Sequence, residues 1–150
     1  MVIIVGLPAS GKSTEAKRRA QEMNIPDAQI FDDFKLHRRL RSPSFHMSAA
    51  FPALKRALLA GKGVIVVDID FCDSKSRIDA ICALHRVRED IDIEWVFFEN
   101  DPDQCLINVM SDHTHTQLQA SERPDYIRKY ASRYQIPPTA KPLKVWQAPT

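Results

Sequence analysis

The sequence predicts an α/β fold: a five-stranded, mostly parallel sheet with helices on both faces and a short flap. Three observations carry that expectation. Short β-branched runs alternate with segments whose apolar residues recur at helical spacing, the pattern of strands joined by crossover helices. The 150 residues suit one domain of that kind, spanning 1–150. A glycine-rich turn, Gly6 to Ser13, also sits where the first strand should pass into the first helix.

The elements follow in order. Met1-Val2-Ile3-Ile4-Val5 is a buried-strand run, and Ala16, Ala20 and Met23 mark the first helix. Ala28 to Phe31 is a short second strand ending at Asp32-Asp33. Pro52 suits a helix start, Leu54, Ala57 and Leu58 give that helix an apolar face, and Gly61 can end it. Val64 to Val67 is the central strand, with Asp68 at its carboxyl end. Ser76 to Asp79 fits a capping box for a helix whose face is Ala80, Ala83, Leu84 and Val87. Ile91 to Phe98 supplies a fourth strand, and Asp101-Pro102 starts a helix carrying Cys105, Leu106 and Val109. Ile127, Tyr130, Ala131 and Tyr134 mark a last helix, stopped by Pro137-Pro138. Leu143 to Trp146 can add the fifth strand, which would bury Trp146 as the fourth buries Trp95. Between Ser111 and Ser121 the chain is polar and without a period. It reads as a flap over 111–122 or as a plain surface loop.

Composition excludes several classes. A net charge of +2 creates no field that argues for a nucleic-acid or membrane surface. No apolar run approaches the ~20 residues that span a bilayer, and Met1 to Val5 lacks a charged leader and a cleavage site. Cys72, Cys82 and Cys105 are odd in number and form no C-x-x-C pair, as expected of thiols in a reducing compartment. A soluble cytoplasmic protein is expected.

Gly6-Leu7-Pro8-Ala9-Ser10-Gly11-Lys12-Ser13, followed by Thr14, matches the phosphate-binding pattern G-x-x-x-x-G-K-[ST] in the strand-to-helix context the pattern requires. Two glycines let backbone amides turn toward a polyphosphate, and the helix dipole favours negative charge there. Lys12 would reach the β- and γ-phosphates, and the Ser13 hydroxyl would complete a Mg2+ shell. The expectation is a three-layer P-loop fold of the nucleotide-kinase kind that binds a nucleoside triphosphate, taken as ATP, with Mg2+.

In an open parallel sheet, ligands bind outside the carboxyl ends of the strands. Asp68, after four apolar residues, is placed to hold Mg2+ opposite Ser13; Asp70 and Asp73 lie close enough to share that role. The Asp32-Asp33 pair suits an acceptor-hydroxyl site, with Asp32 aligning the hydroxyl and Asp33 a helix N-cap beside the substrate, or the roles reversed. The run from Lys35 to Arg41, including Arg38, either grips substrate phosphates or forms a solvated helix face. His113 and His115 have no further ligands near them in sequence and read as loop residues rather than a metal site.

These residues resemble the small P-loop kinases related to the 5′-kinase domain of bacteriophage polynucleotide kinase, and a set of bacterial and phage predicted kinases. The shared points are Gly6 to Thr14, Asp32-Asp33-Phe34-Lys35, Gly63 to Asp68 and Asp101-Pro102; Phe98 to Pro102 and Tyr134 to Pro137 match the second set. The resemblance covers about residues 1–110. It implies that Asp32 is the general base. It also implies that Lys35 stands where an arginine usually clamps the acceptor phosphate, losing a bidentate fork. The flap arginine that steadies the transferring phosphoryl would be Arg123, or else Arg128.

Two functions are therefore expected candidates. One is an ATP-dependent kinase acting on a hydroxyl or phosphate of a nucleotide, nucleoside or nucleic-acid end. The other is an ATP-binding regulatory protein or ATPase without a phosphorylated second substrate. A guanine-binding [NT]-K-x-D stretch is absent, which argues against a GTP switch.

Overall fold

Four short runs rich in β-branched and aromatic residues become strands β1 (Val2–Val5), β2 (Ile30–Asp32), β3 (Ile65–Val67) and β4 (Glu94–Phe97). The computed structural model describes residues 1–32, 45, 50–111 and 117–147, with backbone alone for 117–123. Among these residues the strands form one sheet in the order β2-β3-β1-β4, and every pairing is parallel.

The side-chain period of two divides the core in half. Ile3 and Val5 face one cluster with Val64, Val66 and Phe97; Val2 and Ile4 face the other with Ile65, Val67 and Val96. Helix α1 (Lys12–Glu22) covers the second face through the small side chains Ala16 and Ala20. Helices α2 (Phe51–Leu59), α3 (Ser74–Val87), α4 (Pro102–Ser111) and α5 (Gln117–Ala131) cover the first with Leu54, Leu58, Leu84, Cys105, Val109 and Ile127. A sheet buried on both faces explains why its strands read as unbroken apolar runs rather than alternating ones.

Local chemistry sets the ends. Helix α1 stops where Asn24 takes a φ of +53° and the Ile25 N–H reaches back to Ala20 O at 2.8 Å, a Schellman closure. The expected capping box at Ser76 gives way to an earlier start: Asp73 caps α3 by accepting from Lys75 N–H at 3.0 Å. Asp73 stands three residues before Ser76 and is itself a favoured N-cap residue.

Two expectations change. The fifth strand does not form. Leu143 to Trp146 contributes one parallel bridge, Leu143 with Phe98, in which Leu143 N–H donates to Phe97 O at 2.7 Å and Glu99 N–H to Leu143 O at 2.8 Å. Beyond that bridge the segment turns to the glycine loop, where Trp146 N–H donates to Ser10 O at 2.9 Å. Trp146 is accordingly 47% exposed rather than a core residue, whereas Trp95 packs edge-on against Phe71, with ring centroids 5.7 Å apart. The expected flap over 111–122 is described only in part. Residues 112–116 lie outside the described residues, and helix begins at Gln117 and runs through Pro124.

Register aligns the strand ends. Asp32 sits beside Val67, Val67 beside Ile4, and Val5 beside Phe97. Asp32, Asp68 and the turn after Val5 thus share one edge of the sheet.

Candidate functional site

At that edge the chain leaves β1, turns through Gly6 to Gly11, and enters α1 at Lys12. The turn is tight. A Cβ on Gly6 would stand 2.6 Å from Ser10 Oγ and 3.1 Å from Phe98 Cβ, so a side chain there would have to push both aside. Gly11, the N-cap, has φ +106°, and a Cβ on it would meet Trp146 Cβ at 2.8 Å. Ala9, at φ +62°, holds a left-handed conformation without glycine's freedom, a cost of about 1–2 kcal/mol that its surroundings must offset. Within the turn, Ser10 N–H donates to Leu7 O at 3.2 Å.

The side chains are arranged for an anion. Lys12 is 9% exposed, and its ammonium turns back to donate to Leu7 O at 2.8 Å. Among the described residues no carboxylate forms an ion pair with it. A buried ammonium on a lone carbonyl is under-compensated, and an incoming phosphate would supply the missing charge. Ser10 Oγ is buried without a hydrogen-bond partner, a second unmet polar group inside the same turn.

Ser13, one residue on, donates from Oγ to Asp32 Oδ2 at 2.7 Å. Asp68 is buried on the adjacent strand end, and its Oδ1 accepts from Asp70 N–H at 2.9 Å to cap the short helical turn Ile69–Cys72. The structure therefore joins Ser13 directly to Asp32, with Asp68 engaged in its own loop. Magnesium usually takes one or two carboxylates together with phosphate oxygens and water, so this set fits Mg2+ on a triphosphate. Among the described residues no three His, Cys, Asp or Glu side chains gather as a metal cluster.

Neighbours hold the site from behind. Cys105 lies beneath it, and burial pushes its thiol up to about 12, keeping it protonated at neutral pH. The Tyr134 hydroxyl, whose pKa burial also raises, donates to Phe98 O and, at 3.3 Å, to Val5 O, gripping the ends of β4 and β1. Arg77 is buried without a carboxylate. It donates to Phe71 O (2.6 Å), Cys72 O (3.1 Å) and Gln135 O (2.7 Å) and lies over the Phe97 ring. Desolvation lowers its pKa from the ordinary arginine value. Tyr130 on α5 donates to Asp70 Oδ1 at 3.0 Å, so α5 is fastened to the segment that carries Asp68.

Of the residues singled out in the sequence, Gly6 to Thr14, Asp32 and Asp68 are brought to one edge. Arg123 is placed only as a backbone position on α5, and Arg128 on the same helix is exposed. Asp33, Lys35, Arg38, His113 and His115 lie outside the described residues. Sequence reasoning missed Asn108, a buried side chain on α4 that donates to Ala9 O at 2.9 Å and to Trp146 O. A lone asparagine in an apolar helix face was its only signal.

A scan against protein-family models finds no match to this chain, and a search of curated proteins finds none either. The structure defines an α/β protein with a four-stranded parallel sheet. Among the described residues no helix is long and apolar enough to cross a membrane.

Proposed function

We propose that this chain is a P-loop phosphotransferase. It would move the γ-phosphoryl group of Mg·ATP to a hydroxyl or phosphate acceptor on a nucleotide, nucleoside or nucleic-acid end. One observation carries the reading. The turn after β1 combines a buried Lys12 ammonium that pairs with no carboxylate among the described residues, an unmet Ser10 hydroxyl and two glycines where an added Cβ would crowd its neighbours, at the start of an 11-residue helix. The parallel order with β1 between β3 and β4 supports a P-loop kinase fold, because it opens the turn onto the carboxyl edge.

Each side chain then has a task. Lys12 exchanges Leu7 O for phosphate oxygens and steadies the negative charge that shifts during transfer. Ser13, with the strand-end carboxylates of Asp32 and Asp68 beside it, would hold Mg2+, which would neutralise the β- and γ-phosphates. Asp32, hydrogen-bonded to Ser13, would align an acceptor hydroxyl and receive its proton late in the transfer. Arg123, carried on α5, would steady the transferring group. Asp33, Lys35 and Arg38 would hold the acceptor.

A second reading, ATP binding or hydrolysis without an acceptor, draws on the same Ser13–Asp32 bond: a carboxylate committed to the metal side serves a hydrolase equally well. Incubation with γ-labelled ATP and a panel of nucleosides, nucleotides and 5′-hydroxyl DNA and RNA separates the two. Label on an acceptor is expected. Phosphate release with no labelled acceptor would refute the transferase in favour of the second reading.

A further inference from the structure

We infer that Asn108, together with the Trp146 N–H, is a positioning element that sets the direction of the phosphate-loop amides. The inference rests on the triphosphate-binding reading above.

In a trans peptide the C=O and N–H point to opposite sides. Two successive carbonyls of the loop, those of Ala9 and Ser10, are held from outside it. Ala9 O accepts from Asn108 Nδ2 at 2.9 Å, and Ser10 O accepts from Trp146 N–H at 2.9 Å. The paired amides, Ser10 N–H and Gly11 N–H, are thereby turned to the inner side. The inner side is identified independently: Ser10 N–H points to Leu7 O, the same oxygen that Lys12 Nζ reaches. Asn108 also bonds Trp146 O, so one amide group ties the loop to the segment that holds it. Gln104 Nε2 donates to Asn108 Oδ1 at 3.0 Å and fixes which end of that amide presents its hydrogens. Asn108 is 4% exposed, so water cannot substitute for it. The brace acts where the loop is strained, at Ala9, whose φ of +62° is a left-handed conformation on a residue with a Cβ.

The test uses the full chain, with Mg·ATP and inorganic tripolyphosphate as calorimetric probes. Asn108→Leu keeps the branched shape and removes both donors. Trp146→Pro removes the N–H and fixes φ, and is read against Trp146→Ala, which keeps the N–H. Melting without ligand establishes that each variant is folded. Asn108→Leu is expected to bind both probes about tenfold more weakly than wild type, and Trp146→Pro correspondingly more weakly than Trp146→Ala. A residue that only supports the fold would lower the melting temperature and leave these affinities alone. Folded variants that bind both probes as tightly as their references overturn the inference while leaving the triphosphate reading intact. Should Asn108→Leu not fold, the Trp146 pair decides alone. Wild type that binds neither probe refutes the triphosphate reading itself, and the inference with it.

Discussion

Substituting alanine at Gly11 and at Gly61 separates two costs that usually arrive together. Both glycines have positive φ, +106° and +71°. At Gly61, which follows α2, an added Cβ meets nothing within 4 Å, so Gly61→Ala carries backbone strain alone. That strain is about 1–2 kcal/mol. At Gly11 the added Cβ stands 2.8 Å from Trp146 Cβ, an atom close to the main chain that cannot rotate away. Relief requires the 143–146 segment to retreat, which stretches the 2.9 Å bond from Trp146 N–H to Ser10 O. A lost hydrogen bond adds about 1 kcal/mol, giving about 2–4 kcal/mol in all with the larger strain at this φ. Both variants share the gain from a stiffer unfolded chain, so it cancels in the comparison. Urea unfolding followed by tryptophan fluorescence measures the difference. Gly11→Ala should be the more destabilised by at least about 1 kcal/mol. Equal losses at the two positions would refute the claim that the C-terminal segment presses on the loop.

Further tests address the chemistry and the scaffold. Asp32→Asn should cut phosphoryl transfer at least about 100-fold while Mg·ATP affinity changes less than about tenfold, as radiolabel transfer and calorimetry would show; retained transfer would exclude Asp32 as the acceptor-aligning group. Arg123→Ala should lower kcat about a thousandfold with little change in ATP affinity, and an unchanged kcat would remove it from the reaction. Arg77→Met keeps length and apolar contact but leaves the carbonyls of Phe71, Cys72 and Gln135 without their donor, and chemical denaturation should show a loss of about 2–3 kcal/mol. Glu15, bonded to Arg18 and Arg19, has its pKa held below the ordinary glutamate value of 4.5, chiefly by the Arg18 hydrogen bond. Its contribution is therefore present above that value and is lost as pH falls through the lowered one. Wild type should lose stability in that acid window, and Glu15→Gln should lose measurably less; parallel pH curves would refute the assignment.

The site's skeleton was legible in the sequence because its signals are local. Gly6 to Ser13 is a contiguous pattern, and Asp32 and Asp68 follow apolar runs that could only be strands. What escaped is non-local. Nothing near Asn108 in sequence announces that it serves Ala9, and nothing near Trp146 announces Ser10. The fifth strand failed as an expectation because the short run from Leu143 to Trp146 bridges once, and its last N–H goes to a loop carbonyl far away in sequence. Helix α5 was placed too late because its first turns carry polar residues around Pro124, which hide the helical period. The direct bond from Ser13 to Asp32 was not legible either, because which neighbouring carboxylate a hydroxyl chooses depends on backbone placement that residue types do not encode.

Strand β1 pairs only with β3 and β4, both far downstream, and Ser10 O accepts its hydrogen bond from Trp146. The glycine turn therefore leaves the ribosome long before the segment that closes on it. A nascent chain halted before Val145 would display the motif without its finished shape.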